Sequence, residues 1–207
     1  MAGFVRERLF PQLSDHAASS SVPMTVVISM LRGVNLGSHN RVRMDALRAL
    51  YASLKLRDPQ TYIQSGNVIF AAQEQDWTRL AKRIGSGIER NFCFRCEVVI
   101  RTASQLRSAI ARNPFAARPG IVPGKLLITF LASEPGPEAR ERLLRIKTDR
   151  EELRIDGSEL YTYYPNGVGR SKLQLAVMER ALKISGTARN WTSVTKMLEM
   201  AEKLEGG

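Results

Sequence analysis

Apolar residues along the chain alternate between short continuous runs and stretches with helical spacing. Thr25–Leu31 is almost wholly apolar and predicts a buried strand, whereas residues 44–54 carry apolar side chains on one helical face. Thr61–Gln64 and Val68–Phe70 flank a short break that contains glycine, which predicts a β-hairpin. A second helix and a further strand follow at residues 77–88 and 96–100. The first half therefore has the order β-α-β-β-α-β.

The second half repeats this order without repeating the sequence. Leu126–Leu131 predicts a strand, Pro137 suits the first turn of a helix, and Asp156-Gly157 is a strong hairpin signal. Ser171 and Gln174 have the spacing of a capping box, which predicts a helix starting at Lys172. The remaining predicted elements are a joining helix, a short strand and a terminal helix, at residues 104–112, 184–188 and 194–204.

The two hairpins determine the predicted fold class. A doubly wound sheet needs a crossover between each pair of strands, whereas each half here has a helix, a hairpin and another helix. We therefore predict an α+β protein with two tandem ferredoxin-like domains (split βαβ units, or α/β plaits), covering residues 24–102 and 103–207. We expect the first and third strands of each unit to run parallel. Residues 1–23 are predicted to be a disordered extension, and translation starting at Met24 is an open alternative.

Composition narrows the class of protein. The chain has 207 residues, 43% of them hydrophobic, and contains no apolar run of the length that spans a bilayer. Its two Cys and two His are too few for a disulfide framework or a structural zinc site. We predict a cytoplasmic protein with no metal and no cofactor. The net charge of +11 favours acidic partners, although it is spread along the chain rather than concentrated in one tail.

Three predicted strand-to-helix loops are rich in Gly, Asn and Arg: residues 32–41, 165–172 and 187–192. A helix N-terminus with nearby glycines allows an anion to approach backbone N–H groups, and basic side chains add charge-assisted bonds. The same composition also occurs in turns that have only a structural role. The candidate ligand-binding residues are Arg32, Gly33, Asn35, Gly37, Gly167, Gly169, Arg170, Ser171, Lys172, Arg189 and Asn190.

Two further patterns have structural explanations that we favour over functional ones. Cys93 and Cys96 have the C-x-x-C spacing, but they lie where a helix passes into a strand, so we interpret them as small, partly buried residues. Tyr161 and Tyr163 point to one face of a central strand, where they either pack in the core or stack RNA bases. We favour core packing.

Four stretches resemble a known family, domain of unknown function family 1697, whose members are small and mostly bacterial. The matching stretches are Leu31–Gly37, Thr61–Phe70, Gly169–Leu173 and Thr187–Thr192. The resemblance implies two ferredoxin-like domains and a bacterial source, and it implies no reaction. This chain has Ser38-His39 where members often carry a second glycine and a lysine.

The leading functional hypothesis is a module that binds an anionic ligand, such as a nucleotide, a phosphorylated metabolite or RNA. One alternative is an enzyme acting on a phosphorylated small molecule, in which Gln64, Ser65, Asn67 and Ser171 orient the substrate. Another is a protein-interaction domain. The sequence shows no obvious acid/base pair or nucleophile, which weighs against the enzyme.

The charge generates a first prediction. If the excess of +11 serves RNA or DNA, affinity must fall steeply with salt, because each neutralised phosphate releases counterions. The measurement is the salt dependence of binding to short RNA and DNA. Absence of binding at about 50 mM salt would remove nucleic acid and leave small anions as the expected ligands.

Overall fold

A computed structural model describes residues 23–206 of the chain, so the predicted extension lies outside the described residues apart from Pro23. The first half has four strands and two helices in the predicted order. Its elements are β1 (Thr25–Leu31), α1 (Met44–Ser53), β2 (Arg57–Tyr62), β3 (Asn67–Ala72), α2 (Trp77–Phe92) and β4 (Val98–Thr102). Helix α3 (Ala103–Ala111) follows β4 directly and leads into the second half.

The second half has the same order of elements and ends in an additional helix. Its elements are β5 (Leu126–Leu131), α4 (Pro137–Leu144), β6 (Glu152–Asp156), β7 (Glu159–Tyr163), α5 (Leu175–Leu182), β8 (Gly186–Asn190) and α6 (Trp191–Glu205). The fold of the described residues is thus α+β, with two four-stranded antiparallel sheets and six helices. None of these helices is both long and apolar enough to cross a membrane.

Both sheets have the same strand order, β2-β3-β1-β4 in the first and β6-β7-β5-β8 in the second. Every neighbouring pair is antiparallel, including β1 with β3 and β5 with β7. The expectation that the first and third strands run parallel is therefore wrong. After α1 the chain enters β2 in the direction of β1, and the hairpin then reverses it, so β3 must oppose β1. The loops that follow β5 and β7 consequently lie at opposite ends of the second sheet.

One face of each sheet is covered by the pair of helices from the same half of the chain. In the first sheet, side chains such as Val27 and Phe70 pack against Leu47 of α1 and Ile84 of α2. A smaller cluster joins the second sheet to α4 and α5. These contacts explain the helical spacing of apolar residues in the first half, since only one face of each helix is buried.

The opposite faces of both sheets share a third core that spans the two halves. Ile28 and Ile69 alternate along their strands with the residues that face α1 and α2, and they meet Val194 and Met197 of α6. Helix α6 also contacts the second sheet, and α3 closes the same core. The domain boundary near residue 103 remains a prediction. Side chains of both halves contribute to the shared core, which therefore couples the two halves.

Tyr161 and Tyr163 belong to this shared core, as the packing interpretation predicted. Tyr161 is fully buried and its hydroxyl donates to the carbonyl of Ala109 at 2.8 Å. Neither ring is available to stack a base, because Tyr163 is also buried and packs near Phe115. These tyrosines therefore stabilise the junction between the second sheet and α3.

Two local predictions are wrong. Helix α5 starts at Leu175 with Gln174 as its N-cap residue, so Ser171 and Gln174 do not form a capping box. A capping box is instead present at α3, where Thr102 and Gln105 bond each other's backbone. Strand β8 covers residues 186–190 and passes directly into α6, so residues 187–190 are strand rather than loop.

Gly66 generates a prediction about the first hairpin. It has φ +72°, a conformation that other residues rarely adopt, and an added Cβ would lie 2.7 Å from the Cβ of Leu31. We expect Gly66→Ala to lower the free energy of unfolding by about 2 kcal/mol or more, through backbone strain and overlap. Chemical denaturation measures this. Gly124→Ala is the control, since an added Cβ there meets no atom within 4 Å, and an equal loss in both variants would contradict the prediction.

Candidate functional site

The first predicted loop, between β1 and α1, directs its arginine toward the second half of the chain. Arg32 forms an ion pair of 2.6 Å with Glu179 of α5 and a longer one of 3.3 Å with Glu97. Glu179 also accepts a bond from the backbone N–H of Gly186 at 2.8 Å. Arg32 is thus neutralised by carboxylates within the chain.

Asn35 holds the same loop together. Its Nδ2 donates to the carbonyls of Val42 at 3.0 Å and Gln64 at 2.8 Å, and its Oδ1 accepts from the N–H of Val42 at 2.8 Å. Gly33 and Gly37 adopt positive φ, which the tight course of the loop requires. The Asn35 amide therefore links this loop to the β2–β3 hairpin.

Arg189 of β8 lies in the interior, with 9% of its surface exposed. Its Nε donates to Oδ1 of Asn67 at 2.5 Å, and its Nη2 donates to the carbonyls of Leu31 and Ser65 at 2.8 and 3.0 Å. Its Nη1 donates to Oγ1 of Thr187 at 2.6 Å and to the carbonyl of Ala188 at 2.9 Å. Burial lowers the pKa of this guanidinium to about 10, which leaves it charged at neutral pH.

Asn190 has a structural task at the end of the same strand. Its Oδ1 accepts from the N–H of Ser193 at 2.7 Å and so caps α6. Of the residues proposed for an enzyme, Ser65 and Asn67 come together at 2.9 Å beside Arg189, and Gln64 adjoins them in the hairpin. Ser171 makes its hydrogen bonds in a different loop, with Glu151 and Leu173.

The loop after β7 is held in place by two side-chain hydrogen bonds to its backbone, and its basic side chains are exposed. The ammonium of Lys125 donates to the carbonyl of Pro165 at 2.5 Å, and the buried Tyr164 hydroxyl donates to the carbonyl of Leu173 at 3.0 Å. Gly167 has φ +82° and starts a short 3-10 turn. Arg170 and Lys172 are exposed at the rim.

A depression of about 520 Å³ lies beside this loop, and we call it the basic pocket. Its walls come from the connection between α4 and β6 and from the loop after β7. The lining residues are Lys147, Asp149, Arg150, Glu151, Tyr164, Pro165, Asn166, Gly167, Arg170, Ser171, Lys172 and Leu173. Sequence reasoning missed Lys147 and Arg150, because their segment lacks glycines and does not precede a helix.

The four cations of the basic pocket form no ion pair within the described chain and outnumber the carboxylates that line it. Lys147, Arg150, Arg170 and Lys172 stand against Asp149 and Glu151, so four positive charges less two negative ones leave an excess of two. Among residues 23–206, the ion pairs include none of these four cations. Elsewhere, some arginines such as Arg101 and Arg118 pair with carboxylates at 2.9 and 2.5 Å, whereas exposed cations such as Arg180 also form no ion pair with a described residue. The grouping of four such cations around one depression is the feature of this site.

Glu151 is held inside the basic pocket by hydrogen bonds. The Ser171 hydroxyl donates to its Oε1, while the N–H groups of Asp149 and Arg150 donate to Oε2 at 2.9 and 3.2 Å. Ser171 Oγ also accepts from the N–H of Leu173 at 2.9 Å. The Ser171 bond lowers the pKa of the Glu151 carboxyl, so Glu151 is a carboxylate at neutral pH and a weak base.

A larger groove of about 820 Å³ lies between α2 and β4, and Cys96 is among its lining residues. Cys93 and Cys96 are free thiols rather than a disulfide. Burial raises the pKa of Cys96 to about 11, and its Sγ donates to the carbonyl of Arg32 at 3.4 Å. A thiol of raised pKa is a poor nucleophile at neutral pH.

Residues 23–206 also contain no group of three side chains suited to hold a metal ion.

Comparison with known proteins places this chain in a family. The model of the family described as protein of unknown function (DUF1697) matches residues 24–161, about two thirds of the 207 residues. The chain belongs to this family. The DUF1697 match includes both stretches of the first half that carry the resemblance, and it ends before the basic-pocket loop. A search of curated proteins found no significant match.

A solved structure supports the fold of this DUF1697 protein. The chain resembles the conserved bacterial protein SP0830 from Streptococcus pneumoniae, with a TM-score of 0.68 and 18% sequence identity. The likeness covers 86% of this chain and 99% of the other. At this identity the comparison concerns the fold alone.

The buried guanidinium generates a prediction about stability. Arg189→Lys retains the charge, but an ammonium has only three donors on one atom for the five acceptors that the guanidinium serves, which leaves buried acceptors unpaired. We expect the free energy of unfolding to fall by about 3 kcal/mol. Chemical denaturation checks this against Arg79→Lys, an exposed control on α2. Equal stability of the two variants would show that the network contributes little.

Proposed function

We propose that this protein binds an anionic small molecule, a nucleotide or a phosphorylated metabolite, in the basic pocket. The observation that carries the proposal is that four cations line one depression, and none of them is among the ion pairs of the described residues. Charges that do not serve the fold's own ion pairs are available to a ligand, and phosphate groups are strongly bound by Arg and Lys.

The size and shape of the basic pocket favour a small ligand over RNA. Its volume of about 520 Å³ falls in the range of small-molecule sites. Single-stranded RNA is typically held by a positively charged groove together with exposed aromatic rings on which its bases stack. The aromatic lining residue, Tyr164, is 2% exposed and bonds the backbone, which makes it unsuitable for stacking.

The properties of the Ser171 hydroxyl and the Glu151 carboxylate favour a binding function of the pocket over a catalytic one. Ser171 donates to Glu151, as a nucleophile donates to its base, but the lowered pKa of Glu151 makes it a poor proton acceptor. His39, the histidine among residues 23–206, does not line the pocket. The pocket therefore offers charge recognition without a competent general base.

We also propose that each half is a ferredoxin-like domain. The order β-α-β-β-α-β, the hairpin in each half and the antiparallel strand order shared by the two sheets support this assignment. The basic pocket then belongs to the second unit, at the end of the sheet where β7 finishes.

The pocket cations provide the test of function. We expect Arg170→Ala and Lys172→Ala each to weaken an anionic ligand by roughly 1.5–3 kcal/mol for a lost charge-assisted bond. Folding stability should change by less than about 1 kcal/mol, because exposed charges contribute little to it. A thermal-shift screen with nucleotides, sugar phosphates, pyrophosphate and short RNA identifies the probe, and calorimetry measures its affinity.

Arg180→Ala is the matched control for this test. Arg180 is exposed on α5 and carries the same charge, but it does not line the basic pocket. An equal loss of affinity in all three variants indicates diffuse electrostatic attraction. Unchanged affinity in the two pocket variants would show that the loop after β7 is only a turn.

A further inference from the structure

The basic pocket already contains an anion that belongs to the chain. The carboxylate of Glu151 receives the Ser171 hydroxyl on one oxygen and the consecutive N–H groups of Asp149 and Arg150 on the other. Two successive N–H groups with a hydroxyl form a concave donor set of the kind that binds phosphate and other oxyanions. The hydrogen bonds of Glu151 therefore indicate the three donors that an external anion would use.

We propose that Glu151 is an internal ligand of the basic pocket, and that an incoming anion binds by displacing its carboxylate from these three donors. The inference rests on the proposed function and names a regulatory contact in the same site. Glu151 occupies the donors but forms no ion pair with Lys147, Arg150, Arg170 or Lys172. An external phosphate would gain both the donors and the cations.

The chemical class of the ligand follows from this competition. The Glu151 carboxylate is tethered beside its donors, so its effective concentration there far exceeds that of a dissolved monoanion. A carboxylate or other singly charged ligand gains no better bond than Glu151 already makes. A phosphate monoester brings about two charges and a diphosphate brings more, together with additional acceptor oxygens, which the excess of cations in the pocket favours. We infer a ligand with a doubly charged phosphoryl group.

The test compares two carboxylates in one pocket, with pyrophosphate as the probe and acetate as the monoanion. Glu151→Gln removes the charge of the carboxylate that accepts from the three donors. Asp149→Asn removes an equal charge from the pocket lining, but the Asp149 side chain makes no hydrogen bond to those donors. We expect Glu151→Gln to raise pyrophosphate affinity at least about tenfold, as for a released charge-assisted bond. Asp149→Asn should raise it no more than about fivefold, as for an exposed charge. Acetate should not bind the wild-type protein measurably.

The outcomes separate the two proposals. If none of the three proteins binds pyrophosphate while all remain folded by circular dichroism, the proposed function fails and this inference fails with it. If the wild-type protein binds but Glu151→Gln gains no more than Asp149→Asn, the pocket binds anions and Glu151 contributes only its charge. Weaker binding by Glu151→Gln would make Glu151 a residue that positions the ligand, which also overturns displacement.

A measurement on the wild-type protein covers the case in which Glu151→Gln does not fold. Carbon-13 NMR follows the carboxyl pKa of Glu151 with and without saturating pyrophosphate. Displacement removes the Ser171 bond that lowers this pKa and brings the carboxyl near a second anion, so the pKa should rise. An unchanged pKa on binding would overturn the proposal.

Discussion

The burial of one guanidinium is the constraint on which the arrangement of the two sheets depends. Arg189 places a full charge in the interior, and such a charge is tolerated only where its donors find partners. Its partners come from β1, from the β2–β3 hairpin and from β8 itself, at Leu31, Ser65, Asn67 and Thr187. Both halves must therefore be folded and in register before this side chain is satisfied.

That requirement extends to the shared core. Asn190 follows Arg189 and caps α6, so the strand that anchors the guanidinium also sets where α6 begins. Helix α6 then lies against the inner faces of both sheets. A second link, from Arg101 to Glu159 at 2.9 Å, joins β4 to β7 within the same junction. Apolar contact between the sheets gives the junction its stability, while the directional bonds of Arg189 and Arg101 select one relative orientation.

Sequence reasoning succeeded where the cause of a structure is local. The turn at Asp156-Gly157 is predictable because a tight hairpin turn needs a residue with positive φ, which glycine adopts easily. Gly157 has φ +57°. It failed where partners lie far along the chain. Thr187–Asn190 has the polar composition of a loop, but pairing with β5 makes it a strand. Ser171 has the spacing of a cap, but Glu151, twenty residues earlier, takes its hydroxyl. Of the residues that line the basic pocket, Arg170, Ser171 and Lys172 were sequence candidates. Lys147 and Arg150 were not, because their segment carries no turn signal.

The three loops that looked alike in sequence differ in what their polar groups bind. In the first loop, Arg32 and Asn35 satisfy carboxylates and carbonyls of the fold, and in the third segment Arg189 does so completely. Those groups serve structure, since removing them leaves buried or partly buried partners unpaired. Around the loop after β7, the backbone is held by Lys125 and Tyr164, and the exposed side chains of Arg170 and Lys172 form no ion pair with a described residue. Exposed cations elsewhere, such as Arg79 and Arg180, are solvated without an ion pair to any described residue, so a ligand is proposed only where several cations line one depression. We therefore base the proposed binding site on the four cations that line one depression, rather than on the glycines common to these loops.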